Sequence, residues 1–340
     1  MNLFELTRAL VDIDSTTNHE KQVGDFLSVY LSGLTARLGG RLERIPAEPG
    51  RDNIFACWGE PVVTLSTHMD TVPPFFASRE DDQFIWGRGS CDAKGIIAAM
   101  IAAAEKLLAA GVRNFGLLFV VGEERNSAGA KAAAKQPRGS RFLINGEPTG
   151  NCLAVASKGA LRFEITAQGK LAHSAYPELG HSAIHVLLDV LQTIREIPLP
   201  DDPVLGRSTL NVGTISGGRA PNVVADLARA EIMFRTVGDP DALRQAVSAA
   251  AGDRAEAQEV LHTPALQLSG FNGLPTTVVA FTTDIPTFGG TWGKPFLIGP
   301  GSIHLAHTSE ERIPKKELLD AVQIYTRMVK QLVTTGSAAS

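Results

Sequence analysis

The feature that most constrains the fold of this chain is the alternation of helical and strand-like patterns across its first 150 residues. Apolar residues recur at the spacing of an amphipathic helix at 3–13, 20–38, 95–110 and near 127–136. Short apolar runs typical of buried strands lie between them, at Asn53–Trp58, Val62–Thr67, Phe115–Val121 and Arg141–Asn145. Because strands that alternate with helices form βαβ units, the pattern predicts an α/β fold around a mostly parallel central sheet.

The pattern changes after about residue 152. Half-buried strands are indicated at 161–167, 209–215 and 228–237, and helices at 181–195 and 240–252. Short strands and a closing helix follow at 277–281, 296–298 and 315–333. We therefore predict an α/β domain built from residues 1–152 and 265–340, interrupted by a small α+β domain at 153–264. A short tail near 334–340 is predicted to be dispensable.

Length and charge exclude several classes of function. The chain has 340 residues, which suffices for two such domains, and its net charge of −4 offers no basic surface for nucleic acid or anionic lipid. Its three cysteines are too few for a disulfide framework or a cysteine-based zinc site. The N-terminal segment is amphipathic rather than uniformly apolar, and the most apolar helical segment is too short to span a bilayer. We expect a cytoplasmic protein that binds neither nucleic acid nor membrane.

Acidic residues and histidines follow the predicted strands of the first domain, or the glycine-rich turn beside them. The carboxyl ends of parallel strands meet at one edge of a sheet, where ligands bind in open α/β folds. These side chains are therefore predicted to lie close together. They are His68, Asp70, Asp92, Glu123, Glu124, Glu147 and, just past the final strand, His304 or His307.

Each of these residues also has a simpler explanation when taken alone. His68 and Asp70 suit a loop histidine with a capping aspartate, Asp92 suits a helix cap, and adjacent glutamates suit a solvated turn. Their common placement at one edge favours a metal site instead. Two histidines with several carboxylates suit Zn²⁺, Co²⁺ or Mn²⁺. Five ligands exceed the needs of one tetrahedral zinc, so we predict a hydrolytic metal pair that shares a carboxylate.

Five ordered segments resemble one known family: THMDTVP, GRGSCDAKG, GEERNSAGAKA, NGEPTG and GPGSIHLAHTSEE. It is the family of dizinc metallopeptidases and amidohydrolases that contains acetylornithine deacetylase, succinyl-diaminopimelate desuccinylase, aminoacylase and glutamate carboxypeptidase. The resemblance implies a zinc-exopeptidase-like catalytic domain with two Zn²⁺ per subunit, for which Co²⁺ or Mn²⁺ could substitute. It also implies the following roles: His68 and Glu147 hold one zinc, Glu124 and His307 hold the other, Asp92 bridges them, Asp70 orients His68, and Glu123 is the general base. The same motif selects His307 rather than His304.

The inserted segment also resembles this family. The motif Ala172–Pro177 is similar to one in the family's ferredoxin-like dimerisation and lid domain, where the histidine reaches the partner subunit's active site. The resemblance therefore implies a homodimer in which His173 is catalytic, although residue chemistry alone indicates only a loop histidine. Asn211, Asn222 and Arg235 match lid positions that contact substrate, and Arg235 could hold a carboxylate by two hydrogen bonds.

These residues together predict an enzyme. We expect metal-dependent hydrolysis of an amide bond in an N-acyl amino acid or small peptide with a free carboxylate, by an acetylornithine deacetylase-like deacylase or a carboxypeptidase. One alternative is an aminopeptidase or dipeptidase on the same dizinc scaffold. Another is a non-catalytic binding relative, which retention of all five ligands and Glu123 argues against. Departures from the family pattern at Asn126, Ala225 and Met233 weaken any choice of substrate by analogy.

Overall fold

The computed structural model describes residues 1–337, which form two compact units. The first unit comprises Met1–Val155, Leu268–Thr277 and Thr283–Ser340. The second comprises Ala156–Gln267 and Val278–Thr282, so its main segment is inserted into the sequence of the first. Within the described residues, no helix combines the length and the apolar character needed to cross a membrane.

Eighteen strands and eight α-helices are present in the described part of the chain. The strands are β1 (Arg41–Glu48), β2 (Arg51–Trp58), β3 (Val63–His68), β4 (Arg79–Glu80), β5 (Phe84–Trp86), β6 (Phe115–Val120), β7 (Phe142–Asn145), β8 (Leu153–Ser157), β9 (Gly159–Gln168), β10 (Asp201–Asp202), β11 (Gly206–Arg207), β12 (Thr209–Gly217), β13 (Leu227–Thr236), β14 (Ala255–Thr263), β15 (Leu266–Gln267), β16 (Thr276–Val279), β17 (Lys294–Leu297) and β18 (Arg312–Pro314). The helices are α1 (Leu3–Val11), α2 (Lys21–Leu38), α3 (Lys94–Ala109), α4 (Ala128–Ala134), α5 (Ala183–Arg195), α6 (Asp241–Ala251), α7 (Ile285–Phe288) and α8 (Lys315–Ser337), with a short 3-10 helix at Pro177–Leu179.

A mixed sheet forms the centre of the first unit, with the strand order β1-β2-β6-β3-β7-β17-β8. The four central strands, from β6 to β17, are parallel, whereas the outer strands pair antiparallel. Strands β3 and β6 are buried along their whole length, which explains their continuous apolar character. The predicted α/β fold is confirmed, and the parallel pairing is concentrated in the strands that carry the candidate residues.

Helix α3 packs in the core of the first unit, between the sheet and α8. Most of its residues are buried, and many are alanine, so neighbouring elements can approach its backbone closely. Because α3 begins at Lys94, the turn that carries Asp92 is fixed against the most buried helix of the unit.

The second unit is a four-stranded antiparallel sheet with two helices on one face. Its chain order is β9-α5-β12-β13-α6-β14 and its strand order is β12-β13-β9-β14, which is the ferredoxin-like arrangement. Every second residue of β13 is buried, as expected for a sheet covered on one side. The roles assigned to the two domains from the sequence, catalysis and dimerisation, stay predictions.

Two long strands, β1 and β14, are absent from the patterns read in the sequence. Both are edge strands, in which few residues are buried, and β14 carries charged and polar residues along most of its length. Such strands lack the alternating apolar pattern because only part of one face meets a core. The predicted tail near 334–340 begins inside α8, and residues 338–340 lie outside the described part of the chain.

Candidate active site

The candidate residues of the first unit come from the carboxyl ends of its parallel strands. Strand β3 ends at His68, β6 is followed by Glu123 and Glu124, and β7 is followed by Glu147. The loop after β17 carries His307, whose backbone has φ +64°, a left-handed conformation that few non-glycine residues adopt. Strained backbone of this kind is concentrated at functional sites.

Asp92 lies between two histidines. Its Oδ1 is 3.0 Å from Nε2 of His68, and its Oδ2 is 3.4 Å from Nε2 of His307. Each carboxylate oxygen therefore faces a different imidazole, which is the arrangement expected of a carboxylate that bridges two metal ions. Helix α3 is capped at Ala93 without a side-chain hydrogen bond, so the geometry of Asp92 is not that of a helix cap.

Glu124 and Glu147 extend this group. The Oε1 atom of Glu124 is 2.9 Å from Nε2 of His307. One ligand atom each from His68, Asp92 and Glu124 lies within 4.8 Å of the others, a grouping that could hold a metal ion. Glu147 is buried, and its Oε1 has no hydrogen-bond partner among the described residues.

The buried carboxylates repel one another. Burial, and then the charges of Asp92 and Glu124, raise the pKa of Glu147 well above its usual range, although His68 opposes the shift. Burial is also the largest reason that the pKa of Glu124 is raised. Desolvated carboxylates held this close, one with an unpartnered oxygen, fit a site built for divalent cations.

Asp70 supports both metal-facing segments. Its backbone carbonyl lies 3.0 Å from Nδ1 of His68, and its carboxylate accepts hydrogen bonds from the backbone N–H groups of Glu123 and Glu124 at 3.1 and 3.2 Å. The Thr17 hydroxyl also donates to it at 2.8 Å. If Nδ1 donates to the carbonyl, Nε2 is left as a metal ligand. Burial opposes ionisation of Asp70, but its interactions with His68, Thr17 and the Glu123 N–H together lower the pKa of Asp70.

Glu123 lies beside the group without joining it. Its side chain is half-buried, whereas its backbone N–H is held by Asp70. Burial and the charge of Glu147 raise the pKa of Glu123 well above its usual range. A carboxylate with a raised pKa and partial access to solvent is suited to accept a proton.

The predicted residues of the second unit lie in two places within it. His173 is exposed and forms an isolated β-bridge with Val223. The Ser174 N–H donates to the Asn222 carbonyl at 3.0 Å. His173 and Asn222 are therefore neighbours. The Ala175 N–H donates to Nδ1 of His173 at 3.1 Å. Nε2 of His173 therefore carries the ring proton and can donate a hydrogen bond to another group. Asn211 and Arg235 lie on the outer face of the sheet, on adjacent strands β12 and β13.

Among the buried carboxylates of the first unit that sequence reasoning did not find, two interact with the candidate residues. They are Asp284 and Glu311, each 1% exposed. Asp284 precedes the short helix α7, where its sequence position indicates only a helix cap. Neither of its carboxylate oxygens has a hydrogen bond within the described residues. Burial raises the pKa of Asp284 to about 7, and the charge of Asp70 adds to the shift, whereas Ser127, His68 and Lys131 oppose it.

The raised pKa of Asp284 predicts that the metal-free protein loses stability as the pH rises. Between its usual pKa of 3.8 and the folded pKa of about 7, Asp284 holds a proton that the unfolded chain has lost. Its contribution to stability is therefore lost progressively as the pH rises from about 4 to 7. We expect Asp284→Asn to raise the free energy of unfolding of metal-free protein at pH 8, by at most about 4 kcal/mol, and to raise it by less than half as much at pH 5, where only part of that loss has accrued. Urea unfolding of chelator-treated protein measures this, with the exposed Asp82→Asn as control. An equal effect at both pH values would contradict it.

Known protein families and structures match the part of the chain that carries the candidate residues. A model of peptidase family M20/M25/M40 matches residues 64–331, which include the candidates from His68 to His307. A peptidase M20 domain-containing protein of Schizosaccharomyces pombe is 39% identical over 340 residues, covering 96% of this chain and 84% of that protein. A probable carboxypeptidase of Aspergillus terreus is 36% identical over 368 residues, covering 95% and 84%. The structure of a tripeptidase from Staphylococcus aureus matches with a TM-score of 0.79 at 22% identity, covering 97% and 98%, and has the same fold.

Proposed function

Because the chain belongs to peptidase family M20/M25/M40, we propose that it is a metal-dependent hydrolase of amide bonds in N-acyl amino acids or small peptides that carry a free carboxylate. The observation that carries the proposal is the placement of Asp92, with one carboxylate oxygen toward His68 and the other toward His307. The carboxylates of Glu124 and Glu147 complete a set of five donors, which suits a pair of ions better than one.

Zinc is the metal that this donor set fits best, and Co²⁺ or Mn²⁺ are the expected substitutes. We propose that His68 and Glu147 hold one ion, that Glu124 and His307 hold the other, and that Asp92 binds both. When bound, such a pair acidifies a water molecule and polarises the scissile carbonyl group. A structure of metal-soaked crystals tests this assignment directly.

The residues of the chain then move the proton and hold the substrate. Glu123 accepts a proton from the attacking water and delivers it to the leaving nitrogen, a role to which its half-buried carboxylate next to Glu124 is suited. Asp70 keeps Glu123 in place through the backbone N–H bond. We propose that Arg235, with Asn211 on the adjacent strand, binds the free carboxylate of the substrate, because a guanidinium group can donate two parallel hydrogen bonds to it. Asn222 is proposed to contact the substrate beside His173, its neighbour.

The relatives indicate a peptidase but favour two different substrate classes. The Aspergillus relative is named a probable carboxypeptidase, which favours recognition of a free carboxylate. The tripeptidase of similar fold favours the alternative, a peptidase that recognises the free amine of a di- or tripeptide. A non-catalytic role has no support from the site, since Glu123 and all five donors are present.

A hydrolysis screen distinguishes these proposals. Metal-loaded protein would be tested on N-acetyl amino acids, dipeptides and tripeptides, each also as the C-terminal amide. We expect cleavage that is abolished by C-terminal amidation and tolerates N-acetylation. Cleavage of C-amidated peptides but not of N-acetylated ones would instead support the aminopeptidase alternative. Metal binding with no cleavage of any compound would support a binding protein.

We further propose that the chain acts as a homodimer in which His173 donates to the developing oxyanion in the partner subunit's site. Strand β12 is an exposed edge of the sheet in the second unit, a surface of the kind that pairs between subunits. His173 is exposed, and its Nε2–H faces away from its own backbone contact.

A subunit-mixing experiment tests this role. We expect His173→Ala to dimerise, to keep its metal and to lose about 10²–10³-fold in kcat, the usual cost of one oxyanion donor. Mixed with Glu123→Gln protein and allowed to exchange, it should recover toward about a quarter of wild-type activity, because one site in each heterodimer is intact. Recovery would be absent, despite proven exchange, if His173 served its own subunit.

A cytoplasmic location is also part of the proposal. Cys57, Cys91 and Cys152 form no disulfide, and Cys57 and Cys91 are buried, as expected of thiols kept in a reducing compartment. Cell fractionation with an antibody against the protein would test it, and recovery from the secreted fraction would contradict it.

A further inference from the structure

The buried carboxylate of Glu311 is surrounded by hydrogen-bond donors from a distant segment. Its Oε1 accepts from the backbone N–H groups of Gly89, Cys91 and Asp92 at 2.9, 3.2 and 3.1 Å. Its Oε2 accepts from the guanidinium group of Arg88 at 2.5 Å. Both oxygens thus accept from backbone N–H groups and a guanidinium group, whereas Asp92 and Glu124 contact the imidazoles of the proposed ligand histidines.

Arg88 ties the same turn to a second loop. Its Nε donates to the Pro74 carbonyl at 3.2 Å, and its guanidinium group lies over the Phe76 ring, 5.0 Å from the ring centroid. Arg88 is 2% exposed, so its charge is compensated by Glu311 rather than by water. The turn that precedes Asp92 is therefore held by the buried Glu311 on one side and by the loop of Pro74 and Phe76 on the other.

The turn has little freedom to take another shape. Gly89 has φ +84°, and a Cβ at this position would lie 2.7 Å from the Thr71 side chain. With Gly89 required at this bend, three backbone N–H groups of the turn can point at one oxygen of Glu311. The last donor is the N–H of Asp92 itself, so the acceptor contacts the residue whose carboxylate faces the two histidines.

The same residue, through its backbone, also joins the loop of the second histidine to this turn. Glu311 lies four residues after His307, and its backbone carbonyl accepts from the Gly87 N–H at 3.1 Å. One residue thereby joins the segments of two proposed ligands that are far apart in sequence. A change at Glu311 alters the relation between Asp92 and His307, whereas β3 and β6 hold His68 and Glu124 independently.

We propose that Glu311, paired with Arg88, is a positioning residue that sets the distance between Asp92 and His307 and so enables the two metal ions to bind together. The inference rests on the proposed metal site. Partners outside the ligand set commonly change metal affinity by about 10–100-fold when they are replaced. A residue that served only to hold the fold together would change stability without this selective effect on metal binding.

The test compares Glu311→Gln with Glu310→Gln, a matched change at the adjacent exposed glutamate. Zinc affinity would be measured by competition with a chromophoric chelator, and thermal unfolding would be measured for the metal-free and zinc-loaded forms. We expect the weaker of the two zinc dissociation constants to rise about 10–100-fold for Glu311→Gln, and the zinc-dependent rise in Tm to shrink. Glu310→Gln should match the wild type in both measurements.

Two results would overturn the proposal. If Glu311→Gln lowers the Tm of the metal-free protein but keeps wild-type zinc affinity, Glu311 is a structural residue only. If the wild type itself binds no zinc, the proposed metal site is wrong, and the proposed role of Glu311 is wrong with it. Should Glu311→Gln not fold, Glu311→Asp replaces it, because the shorter acid keeps the charge beside Arg88 while withdrawing the acceptor from the turn. The same zinc measurement then decides.

Discussion

Replacement of Glu123 by glutamine is expected to lower kcat by about 10²–10⁴-fold, the usual range for loss of a general base, while the metal content stays near that of the wild type. Glutamine matches glutamate in size but cannot accept the proton of the attacking water. The turn should keep its shape, since the backbone N–H of residue 123, rather than its side chain, is bound to Asp70. Metal analysis and steady-state kinetics on the same preparation measure both quantities.

The adjacent residue supplies the matched control. Glu124→Gln makes the same chemical change one position along the chain, where the side chain lies 2.9 Å from Nε2 of His307. We expect this variant to lose metal, because its carboxylate is among the proposed ligands. If Glu123→Gln lost metal while Glu124→Gln retained it, the roles of the two glutamates would be the reverse of those proposed.

The candidate site was predictable wherever its residues follow strands. His68 ends β3, and Glu124 and Glu147 follow the ends of β6 and β7 by a few residues. Parallel strands bring such positions to one edge of a sheet. The apolar runs that reveal these strands arise because both faces of the strands are buried. The grouping of the ligands thus follows from a pattern that is local in the sequence.

Residues whose function depends on tertiary contacts gave no such signal. Asp284 reads as a helix cap and Glu311 as the second of two charged loop residues, and only the folded chain shows that both are buried. The donors to Glu311 come from more than 200 residues away in sequence. Edge strands β1 and β14 were missed for a related reason, because a strand that buries little has little apolar pattern.

The roles in the second unit depended on resemblance rather than on physical reasoning. His173 is exposed, and Asn211 and Arg235 lie on the outer face of a sheet, where side chains carry few packing constraints. Neither spacing nor burial distinguishes these residues from ordinary surface positions. Their roles are therefore the part of the proposal that most needs the subunit-mixing experiment.

The second large effect is expected at Asp92. We expect Asp92→Ala to lower the metal stoichiometry and to reduce activity by about 10³-fold or more, because one carboxylate serves both ions and each ion contributes several kcal/mol of charge stabilisation. The loss does not come from an unravelled helix, since α3 has no side-chain cap at this end. Metal analysis and kcat would be measured together with the Tm of the metal-free form.

Asp92→Asn is the matched variant that separates the bridge from simple packing. It preserves the side-chain volume and one acceptor oxygen, which in the structure faces either His68 or His307 but not both. We expect Asp92→Asn to keep at most one tightly bound ion and to be nearly as inactive as Asp92→Ala, since an amide is a poor ligand for two cations at once. Two tightly bound ions with substantial turnover in Asp92→Asn would show that the ions do not share this carboxylate. The contact of Asp92 with both histidines would then only hold them in place.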